Sequence, residues 1–155
     1  MNTLVLHILN GTAIVATAII FGTDAFFALV GKKAAAKSKD ASIADVMGHF
    51  HAVADARMPL IGVMALFTTL LQVIVTGLHT IQGQLAVLSL AALLLHLTIY
   101  LTVAKPVNNI MVDGVKFGRL VNNIRELQQR WDKVISLRAA LLFVAIISLI
   151  LVNYC

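Results

Sequence analysis

Asp24, His96, Arg57 and Arg138 are side chains that handle protons or stabilise anions, set in or beside stretches that otherwise carry hydrocarbon. A carboxylate and an imidazole form an acid–base pair, most effective when both proton affinities lie near neutrality. A guanidinium beside them can hold a developing oxyanion such as a phenolate. A charge at the centre of a membrane helix costs on the order of 2.5–3.5 kcal/mol at insertion, so each such group is expected to have a partner or a function. Asp24, within FGTDAFFALVGKK, stands eight residues before Lys32, and His96 stands nine before Lys105. At helical rise these are depths of about 12 and 14 Å. The two groups should therefore meet at one level, in a polar pocket completed by an arginine and opening toward the cytoplasm. Asp24 and His96 would move protons, with Arg57 or Arg138 stabilising the anion. The same side chains could also serve only as interhelical hydrogen bonds that fix packing.

The elements that must position them are membrane spans. The chain has 155 residues, is 60% hydrophobic and 12% charged, and has a mean hydropathy of +0.94. That balance excludes an ordinary soluble domain. Four apolar runs, at about 4–31, 58–79, 85–104 and 136–154, are long enough to cross a hydrocarbon core as helices. The expected fold is all-α: one integral membrane domain, 1–155, forming a four-helix transmembrane bundle. The first run lacks a basic leader and is longer than a secretion-signal core, so it is expected to be retained. All twelve Lys and Arg fall between Lys32 and Arg138. Four spans place both basic loops on one side, and the positive-inside rule makes that side cytoplasmic. A multi-pass protein of the plasma or inner membrane follows, with both termini on the non-cytoplasmic side.

Residues seven apart on a helix differ by only about 20° in direction. Thr3, Asn10, Thr17, Asp24 and Gly31 thus form one line on the first span, beside the small residues Gly11, Ala18 and Gly22. On the second span Arg57, Met64, Thr68, Gln72, Val75 and His79 recur at steps of three, four or seven. On the third, Ser89, His96 and Tyr100 share a face, and Arg138 enters the fourth. Each helix thereby sends polar groups inward.

Between the first two spans, SIAD resembles a capping box, with Ser42 and Asp45 as its members. Ile43, Val46, Met47, Phe50 and Val53 then predict a short interfacial helix before span two. Pro59 suits the first turn of that span. Pro106 is expected to end or kink the third helix, with irregular backbone to Gly114. The spacing from Leu120 to Ile135 predicts a cytoplasmic extension of helix four, with Trp131 as an interfacial anchor.

AKPVNNIMVDG and RWDKVISLRAALL carry a further signal. A proline followed by paired asparagines, then a Trp and an Arg before the last span, resembles the anthrone-oxygenase-like family of small four-helix membrane proteins. Pro106, Asn108 and Asn109 match its Pro-x-Asn-Asn element, and Trp131 and Arg138 its closing motif. The resemblance implies a four-helix bundle and, as in the family's named members, cofactor-independent oxygenation of a polycyclic phenol. Members often carry an Asn-His pair shortly before that Arg, where this chain has Ile135 and Ser136. His96 or His51 would have to take that histidine's place. Arg57, Gln72, Tyr100, Asn108, Asn109, Trp131 and Arg138 are the residues expected to contact a substrate.

Other chemistries have weaker signals. His51 and Asp55 are one turn apart and could chelate a divalent ion, but a structural site needs three or four ligands. His7 and His79 could present axial nitrogens to haem, although both lie near span ends. The charge of +5 flanks spans, as orientation and anionic headgroups require, and does not call for nucleic acid. Cys155 is the single cysteine, so no internal disulfide can form. The partners expected are the lipid bilayer and a hydrophobic small molecule. A second copy on the Gly11, Ala18 and Gly22 face, or a larger membrane assembly around a non-catalytic subunit, is the competing expectation.

Overall fold

The computed structural model describes residues 3–155; Met1, Asn2 and the Thr3 side chain that heads the first polar line lie outside that description. Four helices are long and apolar enough to cross a membrane. The first runs Thr3–Phe26, passes through a π-helical turn at Phe27–Gly31 and ends as Lys32–Lys37. The second is Asp40–Thr76. The third runs Ile81–Ile99, through a second π-turn at Tyr100–Ala104, into Lys105–Phe117, and the fourth is Ile124–Val152. Hydrocarbon offers no partner for backbone amides, so helices that satisfy their own are the solution this composition allows.

Short connections make consecutive helices antiparallel neighbours, and the fourth closes on the first, leaving the first and third at opposite corners. Gly77 and Gly118 adopt φ of 75° and 61°, where a Cβ would be strained. Between them, Thr80 caps the third helix by accepting from the Gly83 amide at 3.0 Å.

The packing is inverted relative to a soluble bundle. Ala13, Ala16, Ala65, Ala86 and Ala145 are fully buried, which brings the backbones close, while Leu60 and Leu29 are 76% and 70% exposed. Two apolar cores result. One, around Ala16, Ala65, Ala92 and Leu142, fills the membrane half. The other, built of larger groups including Met47, Met111, Leu127 and Trp131, fills the end nearest the basic loops. The polar residues of the site lie between them.

The expected interfacial segment before span two is helical, but it is not a separate element: Asp40–Thr76 is one helix with Pro59 inside it. A proline removes one amide from the ladder, a loss that membrane helices tolerate when neighbours re-satisfy the backbone. The helix starts at Asp40, and Lys39 at its N-cap position makes no side-chain cap, so SIAD is not a capping box. Arg125 secures that corner instead, donating to Asp40 at 2.8 Å and to the carbonyls of Ala35 and Ser38 at 3.1 and 2.6 Å. Pro106 does not end the third helix either. The π-turn just before it is wider than an α-turn and absorbs the missing amide, and the chain stays helical to Phe117. The extension expected of the fourth helix is present but begins at Ile124, leaving Leu120 exposed in the preceding connection, and the other helices match it in reaching past the apolar runs. Thirty-seven residues in the second helix span about 55 Å, well beyond a hydrocarbon core of about 30 Å.

Candidate functional site

The first, third and fourth helices place Asp24, His96 and Arg138 in mutual contact. Arg138 Nη2 donates to Asp24 Oδ1 at 3.1 Å, and His96 Nε2 lies 3.0 Å from Asp24 Oδ2. Arg138 Nε and Nη2 are each 3.3 Å from that same ring nitrogen. Asp24 and Arg138 are buried. An imidazole nitrogen carries either one proton or one lone pair, and a guanidinium can only donate. With its proton on Nε2, His96 donates to Asp24; with the lone pair there, it accepts from Arg138. Either tautomer therefore finds one matching partner at Nε2.

A second node adjoins the first. Tyr100 Oη donates to Asp55 Oδ1 at 2.8 Å, and Asn108 Nδ2 is 3.2 Å from both oxygens of the same carboxylate. The Arg138 guanidinium sits 5.6 Å from the Tyr100 ring centroid, a cation–π distance that joins the nodes into one belt.

The belt borders two cavities. One of about 230 Å³ opens between the second and third helices. Gly62, Val63, Leu93 and Leu101 contribute its apolar wall, and His96, Tyr100, Asp55 and Arg138 its polar end. Val63 and Leu101 are exposed on the outer apolar surface, so the mouth faces the bilayer. A smaller cavity of about 70 Å³ touches Asp24, His51, Asn108 and Trp131 as well as Asp55, Tyr100 and Arg138. His51 Nε2, Asn108 Oδ1 and Trp131 Nε1 are buried there with no partner among the described residues. Buried polar atoms left so are costly, and together they offer a donor, an acceptor and a ring nitrogen that can act as either.

Of the residues singled out in the sequence, Asp24, His96, Arg138, Tyr100, Asn108 and Trp131 converge here. Arg57, Asn109 and Gln72 do not. The buried face of the second helix is centred on His51, Gly62 and Thr69, and Arg57 points roughly 120° away from it, exposed. Asn109 follows Asn108 by about 100° and is exposed too. Gln72 is buried, but seventeen residues beyond Asp55 it stands about 25 Å along the helix, in the opposite half. Trp131 is no interfacial anchor: it is buried edge-on against Phe27, ring centroids 5.2 Å apart, and beside His51 at 5.6 Å.

Asp55 is the functional candidate that the expected site left out, and His51 enters it only as an alternative to His96 for the family's histidine. Their signal is their spacing from Gly62 and Thr69, legible once the helix is carried through Pro59. Asp55 spends its oxygens on Tyr100 and Asn108, and among the described residues no group of three His, Cys, Asp or Glu could hold an ion. His7 and His79 are both exposed, which removes the sheltered axial pair that haem would need.

Known protein families, characterised proteins and solved structures yield no match to the chain.

Proposed function

We propose that this multi-pass membrane protein takes a hydrophobic aromatic compound bearing an ionisable oxygen from the bilayer and moves a proton at that oxygen. The observation that carries this reading is the lipid-facing apolar cavity ending on His96 and Arg138. A phenolic hydroxyl at that end meets the His96–Asp24 pair as proton acceptor and Arg138 as counter-ion to the phenolate. The electron-rich anion so formed is the species that dioxygen attacks in the anthrone-oxygenase-like chemistry that the Pro106, Asn108, Trp131 and Arg138 pattern resembles. In this reading the basic loops are cytoplasmic and both termini face outward, in the plasma or inner membrane.

Trp131 is the single tryptophan and lines the polar cavity, which provides the test. A hydroxylated anthrone, which carries the phenolic hydroxyl, added to the purified protein in lipid nanodiscs should quench its fluorescence saturably. Asp24→Asn should weaken that binding or abolish turnover while the protein stays folded. Quenching that is non-saturable, or unchanged binding and turnover in the variant, would remove the site from function.

One observation favours the non-catalytic assembly reading. Gly11, Ala18 and Gly22 are exposed on the first helix, and a Cβ at either glycine would meet nothing within 4 Å. Such a face can receive a helix of a second copy or of another subunit.

A further inference from the structure

We infer that the external groove between the first and fourth helices is a seat for one acidic glycerophospholipid. The groove, of about 500 Å³, is separate from the polar belt. Ala25 and Ala28 on one helix and Ala139 and Ala140 on the other leave it concave. Phe21 and Phe143 close its inner end with ring centroids 6.0 Å apart. At the other end stand Lys32 and Lys33.

Its length matches one leaflet. Phe21 to Lys33 is twelve residues, about 18 Å, against about 15 Å for half of a hydrocarbon core. An acyl chain laid between the alanines reaches the aromatic pair as its phosphate reaches the lysines. The two cations differ in freedom. Lys32 Nζ donates to Ser136 Oγ at 2.8 Å and acts electrostatically on Asp132, whereas Lys33 is exposed with no ion-pair partner among the described residues. Lys33 is therefore the charge that selects an anionic headgroup, and Lys32, aligned by Ser136, is the donor at its edge. Ala25 follows Asp24 and Ala139 follows Arg138, so a chain in this groove braces the two helices at the height where their ion pair forms.

The test is native mass spectrometry of the full chain released from vesicles of equal phosphatidylglycerol and phosphatidylcholine. The wild type should retain phosphatidylglycerol about five-fold over phosphatidylcholine, the effect of one well-placed cation at a charged surface. Lys33→Glu should erase the preference, Ala140→Trp should lower retention of either lipid, and Lys116→Glu, outside the groove, should change neither. Equal retention of the two lipids by the wild type would overturn the inference. So would a preference that survives both Lys33→Glu and Ala140→Trp. A dimer that Ala140→Trp converts to monomer, with no headgroup effect, would overturn it by assigning the groove to a second copy.

Discussion

His96 Nε2 stands 3.0 Å from Asp24 Oδ2, linking two helices that occupy opposite corners of the bundle. The contact crosses the bundle axis and separates the small-residue core of the membrane half from the bulkier core beyond it. Arg138 reaches both partners from the fourth helix, and the second helix joins through Asp55. A change in any one of these groups is therefore felt on at least two helices.

Arg138→Met strands the buried Asp24 carboxylate. Removing one partner of a buried pair costs about 3–5 kcal/mol, whereas replacing both with apolar groups can be nearly neutral. Unfolding in detergent should show the single variant strongly destabilised and Asp24→Leu/Arg138→Met close to the wild type, with binding of the hydroxylated anthrone lost in both. A double variant as unstable as the single would deny that the pair is coupled.

Tyr100→Phe and Asn108→Ala each remove a donor from Asp55. The expected loss is about 1–2 kcal/mol for either, with less than additive loss in combination because both act on one carboxylate. A double-mutant cycle by the same unfolding measurement checks this, and strict additivity would separate the two bonds.

Gly62 stands at the cavity wall, and a Cβ built there meets only Ile20 Cδ1, at an ordinary 3.8 Å. Gly62→Ala should leave stability within about 0.5 kcal/mol of the wild type, and Gly62→Phe should block the cavity and abolish Trp131 quenching. Quenching that persists in the phenylalanine variant would place the ligand elsewhere.

Gly48 lets the second and third helices touch outside the membrane half. A Cβ there would lie 2.5 Å from Val115 Cγ1 and 2.8 Å from the Met111 carbonyl oxygen, and backbone cannot yield as a side-chain tip can. Gly48→Val should destabilise by roughly 1–3 kcal/mol through overpacking, readable as a lowered Tm. An unchanged Tm would mean that this contact has slack.

Arg57→Ala and Asn109→Ala are expected to be silent in both stability and binding, within about 0.5 kcal/mol, since both side chains are exposed. Loss of binding in Arg57→Ala would restore to it the role that Arg138 holds in this fold.

These contrasts show what the sequence carries. Span number and the meeting of Asp24, His96 and Arg138 are legible because heptad spacing and depth from the flanking lysines are properties of single helices. The Asp55 node is not, because it depends on helices continuing through Pro59 and Pro106. Prolines ordinarily mark ends, and here a tolerated amide gap and a π-turn carry the chain onward. Arg57 misleads because steps of four and seven drift around the helix, so a face read from one end turns away from the buried one. Trp131 misleads because tryptophan favours headgroup depth in general, whereas here the helices extend past that depth and enclose it.

Pro59 has one further effect. Lacking an amide, it leaves the main-chain oxygen of Asp55 without its ladder donor four residues on, in a residue that already borders the larger cavity. Side-chain exchange at position 55 leaves that gap in the ladder as it is, and only Pro59→Ala would supply the missing hydrogen, so an alanine scan that spares the proline cannot report on it.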